Sequence, residues 1–198
     1  MTDIDVKKQI TGFFIYFIGF AGSGKLSTAV ELSHVINALI VSSTFPHNSQ
    51  IHDLYDSAIF KYDQTPKEVR DRMYNITQII LKVIESDPIH SRNYIFFDEL
   101  IKDNEYDTKT YNSVVNLSIK MNTKLLPVVL RCDLPTLQKR IELKSQRDNK
   151  RVVDASNIVE ISRNKELFVP PNAIEIENSN LSIKEVTQKI IDKIYQLL

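Results

Sequence analysis

The stretch that decides the fold is Phe13-Phe14-Ile15-Tyr16-Phe17-Ile18-Gly19-Phe20-Ala21-Gly22-Ser23-Gly24-Lys25. Its first six residues are all aromatic or β-branched, the pattern of a strand covered on both faces. Glycines at 19, 22 and 24 then end the strand. From Lys25 to about Asn37 the apolar residues Leu26, Ala29, Val30, Leu32 and Ile36 recur at helical spacing. A G-x-x-x-x-G-K turn set between a strand and a helix is the context in which backbone N–H groups wrap around phosphate oxygens. The glycines let the chain curl, the helix N-terminus adds partial positive charge, and a lysine at 25 reaches the outer phosphates. The cradle is expected to comprise Gly19, Ala21, Gly22, Ser23, Gly24, Lys25 and Leu26. At the position where a hydroxyl ordinarily serves magnesium the chain has Leu26, followed at once by Ser27 and Thr28. An ordinary glycine turn with a solvated lysine would require three glycines, the lysine and both flanking patterns to coincide.

Outward from this stretch, apolar runs alternate with helical patterns. Ala38–Val41 reads as a second strand fading into Ser42-Ser43-Thr44, and Pro66 opens a long helix through Val69, Met73, Ile76, Ile80 and Val83 that ends before Pro88. Tyr94–Phe97 is a third strand stopped by Asp98-Glu99, and a helix near Thr108–Met121 follows. Val128–Arg131 is a fourth strand, with Pro127 at its start where a missing N–H is tolerated. Asp133 caps a helix from Leu134 to about Leu143, with Pro135 in its first turn, and Asp154 opens another short one. Ala173–Ile176 is a fifth strand, and Ser182 with Glu185 forms a capping box ahead of Val186, Ile190, Ile194 and Leu197. Five short apolar strands alternating with helices predict an α/β unit, a parallel sheet covered on both faces.

Composition narrows the function classes. The chain has 198 residues, 42% of them hydrophobic, with 25 basic and 25 acidic side chains. That length fits a single domain with its own core and excludes a disordered chain. The lone cysteine, Cys132, excludes a disulfide framework and a Cys-rich zinc site. Zero formal net charge speaks against a general nucleic-acid or membrane-surface binder. The apolar run Ile10–Ala21 is roughly half the length of a membrane-spanning helix, and Asp3 and Asp5 spoil a signal-like start. The expectation is a cytoplasmic protein.

Two charged segments accompany the glycine loop. Asp98-Glu99 closes the third strand, where open α/β sheets bind their ligands, so an acid there can hold the waters of magnesium or orient a hydroxyl. Asp98, first after the apolar strand, is the stronger candidate and Glu99 the weaker. Between Gln138 and Arg151 lie Lys139, Arg140, Lys144, Arg147, Lys150 and Arg151 against Glu142 and Asp148. Such a cluster after the fourth strand can close over a triphosphate and supply charge to a phosphoryl group in flight. A solvated helix face is the plainer reading of the same run.

With GFAGSGKLST, YIFFDEL and LPVVLRCDLPTLQKRIELKSQRDNK in this order, the sequence resembles the adenylate-kinase-like branch of P-loop small-molecule kinases. More narrowly, it looks like the bacterial proteins labelled AAA-family ATPases, relatives of shikimate, gluconate and chloramphenicol phosphotransferases. The resemblance covers most of the chain and implies a five-stranded sheet of order 2-3-1-4-5. It implies Mg-ATP as the nucleotide, with Ser27 taking the hydroxyl role that Leu26 lacks and joining Asp98 at the magnesium. It implies Arg140 against the adenine, and Arg147 with Arg151 in a lid at about 140–160. The acceptor site would lie at about 45–90, between the second strand and the long helix carrying Arg70 and Arg72.

One feature departs from the pattern. Such kinases often have an Asp after the second strand to take the acceptor's proton, and the narrower relatives an Asn-His pair, whereas this chain has Ser42-Ser43-Thr44 and then His47. Phosphoryl transfer through a loose transition state depends on positioning and charge more than on a strong base. The expected function is therefore transfer of a phosphoryl group from Mg-ATP to a small hydroxylated or phosphorylated acceptor. Lys25, Asp98 and Arg147 would be the catalytic groups, in a monomer or homodimer. A nucleotide-binding module without an acceptor is the alternative, and a nucleic-acid end kinase using Lys139–Arg151 is a weaker one. No Asn-Lys-x-Asp motif favours GTP.

Overall fold

The computed structural model describes residues 10–42, 67–89, 91–147 and 155–198, with side chains undescribed at 42, 69, 144–147 and 155–158. Five parallel strands, β1 (Phe13–Ile18), β2 (Ala38–Ser42), β3 (Asn93–Asp98), β4 (Lys124–Arg131) and β5 (Ile174–Glu177), lie in the order β2-β3-β1-β4-β5. The helices are α1 (Lys25–Ile36), α2 (Lys67–Glu85), α3 (Glu105–Lys120), α4 (Leu134–Arg147), α5 (Ala155–Asn164) and α6 (Ile183–Leu197).

The alternation within β1 explains the layers. Phe13, Ile15 and Phe17 point to one face and pack with Ala29, Leu32 and Ile36 of α1 and Val186, Ile190 and Ile194 of α6. Phe14, Tyr16 and Ile18 point to the other, among Leu81 and Ile84 of α2 and Tyr111, Val114 and Leu117 of α3. All six β1 residues are buried, as a strand with helices on both sides requires. On the second face the aromatic rings interlock, with Tyr16 stacked on Phe96 at 5.9 Å and edge-on to Tyr111 at 5.4 Å. No helix of the described residues is long and apolar enough to cross a membrane.

Most boundaries fall within a few residues of the sequence reading, and the capping box of Ser182 and Glu185 is present. β4 is the exception. It begins at Lys124, so Pro127 lies inside the strand, paired in register with Tyr16. The reason is local: β5 pairs with β4 only from Val128 onward, so Pro127 occupies the stretch whose outer side is a sheet edge. α4 runs to Arg147, past the Leu143 end read from the sequence, and α3 starts at Glu105, where Asn104 accepts from the N–H groups of Tyr106 and Asp107.

Register fixes where the loop after β1 lies. Ile18 pairs with Asp98 of β3 on one side and Val129 of β4 on the other, so Gly19 emerges between the carboxyl ends of two neighbouring strands.

Candidate active site

The turn from Gly19 to Gly24 is shaped by its glycines. Gly22 has φ +83° and Gly24 φ +91°, left-handed conformations that L side chains rarely adopt. At Gly19 the obstacle is space: a Cβ there would lie 2.5 Å from Ser23 Oγ and 2.9 Å from the Leu130 carbonyl. At Gly22 a Cβ would come within 2.9 Å of Ile141 Cγ1, so α4 packs directly against the turn. Ser23 is buried, and its hydroxyl has no hydrogen-bond partner among the described residues. The turn feeds α1, whose Gly24 N-cap makes no side-chain capping bond. Glycine conformation, close packing and an orphaned buried hydroxyl together form a cradle suited to an anion with several oxygens.

The charged groups around this cradle converge from three elements. Lys25 Nζ donates to the carbonyls of Gly19 at 2.5 Å and Phe20 at 3.0 Å. Asp98, at the end of β3, accepts from Tyr16 Oη at 2.8 Å, while its carbonyl accepts from the Gly19 N–H at 3.3 Å. Tyr16 is buried in β1, and burial, with the Asp98 charge beside it, pushes its phenol well above the ordinary range. Glu99 Oε2 accepts from the Ala21 N–H at 2.9 Å, inside the turn. Burial raises the Glu99 carboxyl, while the Lys25 ammonium and the Ala21 N–H pull it back down.

The two adjacent acids thus face different partners. Asp98, the stronger candidate in the sequence, is held by a core tyrosine. Glu99, the weaker candidate, reaches into the glycine turn. Leu26 and Ser27 begin α1 and are both exposed, whereas Thr28 is buried.

Arg140, on α4, lies beside the turn in a polar cluster. Its Nη1 donates to Asn178 Oδ1 at 3.1 Å and approaches Cys132 Sγ at 3.5 Å, and its Nη2 donates to the Asn178 carbonyl at 2.9 Å. Asn178, which follows β5, is buried, and its Nδ2 donates to the Ser23 carbonyl at 2.7 Å. Nothing in the sequence marks Asn178, because the partner that explains it is far away in the chain.

On α2, Arg70 stacks over the Tyr106 ring at 5.1 Å, and its buried Nε has no partner among the described residues. Tyr106 in turn donates to Asp71 at 2.6 Å, and Arg72 is exposed. Arg147 closes α4, but its side chain is not among those described. Ser43, Thr44, His47 and Arg151 lie outside the described residues.

Among the described residues, one hollow of about 500 Å3 lies under α6 at the amino ends of β4 and β5, away from the turn. Another, of about 270 Å3, borders Phe20 and is lined by Cys132, Leu137 and Leu167. The anion cradle is a concave backbone surface and coincides with neither.

A parallel sheet of order 2-3-1-4-5 with this turn after its central strand decides the architecture. The fold is that of the P-loop NTPase kinases. A gluconokinase from Sinorhizobium meliloti 1021 matches with a TM-score of 0.61 and 15% identity, over 94% of this chain and 93% of that one. A shikimate kinase from Acinetobacter baumannii, solved with shikimate, gives 0.55 and 14% over 98% of both chains. The Mycobacterium tuberculosis APS kinase, solved with AMPPNP and APS, gives 0.51 and 13% over 94% of this chain and 98% of that one. No protein-family model and no curated protein matches the chain. At these identities the likeness is one of fold, and the P-loop kinase fold spans the described elements from β1 to α6.

Proposed function

We propose that the protein is a phosphotransferase that moves the γ-phosphoryl group of Mg-ATP to a small hydroxylated or phosphorylated acceptor. The observation that carries this reading is the convergence, at the carboxyl ends of β1 and β3, of a glycine cradle, Lys25 and two carboxylates. The residues present suit a polyphosphate, since the cradle offers a helix N-terminus and a Ser23 hydroxyl with no partner among the described residues, and its Ala21 N–H already holds an anionic oxygen, that of Glu99. When bound, the magnesium nucleotide supplies the phosphoryl group and part of its charge neutralisation.

In this reading the backbone of Gly19, Ala21, Gly22, Ser23, Gly24, Lys25 and Leu26 cradles the phosphates. Lys25 turns from its own loop carbonyls toward the outer phosphates. Ser27 and Asp98 hold magnesium. Arg140 packs against the base with the plane of its guanidinium, whose edge is fixed by Asn178. Arg147, at the end of α4, neutralises the transferring group. Arg70, whose Nε has no partner among the described residues, favours an acceptor that carries a carboxylate or phosphate. The protein would act in the cytoplasm, as a monomer or homodimer, on nucleotide and a small acceptor, with no membrane or nucleic-acid partner.

The test is calorimetric titration of Mg-ATP into the wild type and Lys25→Ala. Micromolar binding that disappears in the variant, with an unchanged circular dichroism spectrum, supports a working loop. Absence of heat in both proteins overturns it. A second reading, nucleotide binding without an acceptor, is favoured by one feature: Leu26, 40% exposed, stands where a hydroxyl would meet magnesium. Tight binding with no phosphate transfer to any of a panel of hydroxylated acids and sugar phosphates would favour that second reading.

A further inference from the structure

Asn178 belongs to no motif and comes from the far end of the chain, yet every polar group of this residue is engaged. Its backbone N–H donates to the Arg131 carbonyl at the end of β4 at 2.9 Å. Its carbonyl and Oδ1 accept both terminal nitrogens of Arg140, at 2.9 and 3.1 Å. Its Nδ2 donates to the Ser23 carbonyl at 2.7 Å, and the same nitrogen lies 3.7 Å from where a Cβ on Gly24 would stand. The residue is only 3% exposed. A carboxamide is the one side-chain group of this size that accepts on one side and donates on the other, as this position demands.

We propose that Asn178 is a positioning residue for the phosphate cradle. Held by Arg140 of α4 and by the end of β4, it fixes the Ser23 peptide and thereby aims the N–H groups of the turn. This rests on the nucleotide-binding reading above and extends it to a residue that need not touch the nucleotide.

The direction of the bonds makes the idea specific. The Ser23 carbonyl accepts from Asn178, which orients the peptide that carries the Gly24 N–H at its other end. The turn sits in left-handed backbone at Gly22 and Gly24, which an unconstrained chain has little reason to keep in one arrangement. A cradle that binds by backbone N–H groups gains affinity when its geometry is set before the anion arrives. The Arg140 link also joins α4 to the turn, so the helix whose Ile141 packs against Gly22 grips the same segment through a second, polar contact.

Asn178→Asp is the discriminating variant. The carboxylate keeps both acceptors for Arg140 and adds charge to that pair, but it replaces the donor facing the Ser23 carbonyl with a second acceptor. Asn178→Ala, which loses both side-chain contacts and keeps the backbone carbonyl for Arg140 Nη2, is the companion. Binding would be measured by calorimetry with Mg-ATP and separately with inorganic tripolyphosphate, together with thermal unfolding and amide hydrogen exchange of the 20–27 segment. The expected result is about tenfold weaker binding of both ligands in Asn178→Asp, the size expected for one lost hydrogen bond. Exchange in the 20–27 segment should quicken, and the unfolding midpoint should fall by only a few degrees, since one buried carbonyl loses its donor and faces a carboxylate.

Unchanged affinity for both ligands with unchanged exchange would overturn the proposal. So would a loss for ATP with none for tripolyphosphate, since that pattern belongs to a contact with the base. If the wild type binds neither ligand, the nucleotide reading fails by itself, and the exchange rates still decide whether Asn178 holds the turn. Should Asn178→Asp fail to fold, the same two ligands and the same exchange measurement on Asn178→Ala give the answer.

Discussion

Asn93 and Asn178 are both buried asparagines that tie separate elements together, one at the amino end of the sheet and one at its carboxyl end. Asn93 accepts from the Phe13 N–H at 2.9 Å and donates to the carbonyls of Ile10 and Ile36, both at 2.7 Å. All three partners border regular elements, so β1, β3 and α1 are knotted at one point with every side-chain polar atom matched. The Asn178 side chain makes two bonds, one of which ends on a glycine turn, and around it the matching is incomplete. The Ser23 hydroxyl has no partner among the described residues, and the half-buried Glu99 carboxyl has its pKa raised by desolvation. Fully matched buried polar groups give stability and a unique packing, whereas poorly matched ones, held in place by their surroundings, mark a site. The two ends of one sheet are built on these two principles.

The difference can be broken first at the amino end. Asn93→Leu strands one N–H and two carbonyls in the core, so we expect a loss of about 3 kcal/mol or more in urea unfolding, with an unchanged m-value. Nucleotide affinity of the remaining folded protein should not move. A loss below about 1 kcal/mol would mean that water replaces the side chain, and the contrast between the two ends would collapse. Gly22→Ala addresses the carboxyl end. The alanine must adopt φ +83° and its Cβ must displace Ile141, so about 1–2 kcal/mol of destabilisation is expected. Binding of Mg-ATP should fall much further than stability, because the cost falls on the cradle itself. Equal fractional losses in both would show that the turn is a structural element only.

The sequence was legible where the cause is local. An unbroken apolar run, three glycines and a lysine define β1, the turn and α1, and Ser182 with Glu185 defines the start of α6 without reference to anything outside its own turn. The start of β4 was hidden because Pro127 resembles a boundary, and only the short reach of β5 makes a proline tolerable inside that strand. Asp98 and Glu99 were placed at the strand's end and ranked by their order in the chain alone, since the partners that distinguish them, Tyr16 and Ala21, lie 82 and 78 residues away. Arg140 was found through its charge, yet its bonds to Asn178 depend on where the chain returns after β5. Asn178 itself is 155 residues from Ser23, and no periodicity or spacing connects them.

Glu99 offers the smallest effect and the sharpest sign. Burial is the largest influence on its carboxyl and raises the pKa above the 4.5 of a free glutamate, with Lys25 and the Ala21 N–H opposing. A raised folded-state pKa means that the ionised form is penalised by folding. The wild-type contribution is therefore most favourable below the ordinary carboxylate pKa and is lost as pH rises through the raised folded value. Glu99→Gln keeps an oxygen to accept from Ala21 and never ionises. Its unfolding midpoint relative to wild type should thus climb as pH increases from about 4.5 and level off once Glu99 is fully ionised. Asp98, the Lys25 ammonium and Tyr16 face the same region and remain in both proteins, so they largely cancel in the difference. The same change removes negative charge beside the cradle, so magnesium-free ATP should bind a few-fold more tightly to the variant at neutral pH. A wild type that is the more stable partner at neutral pH would mean that Lys25 outweighs burial. Glu99 would then be as well matched as Asn93, and the carboxyl end of the sheet would have lost its clearest mark of a site.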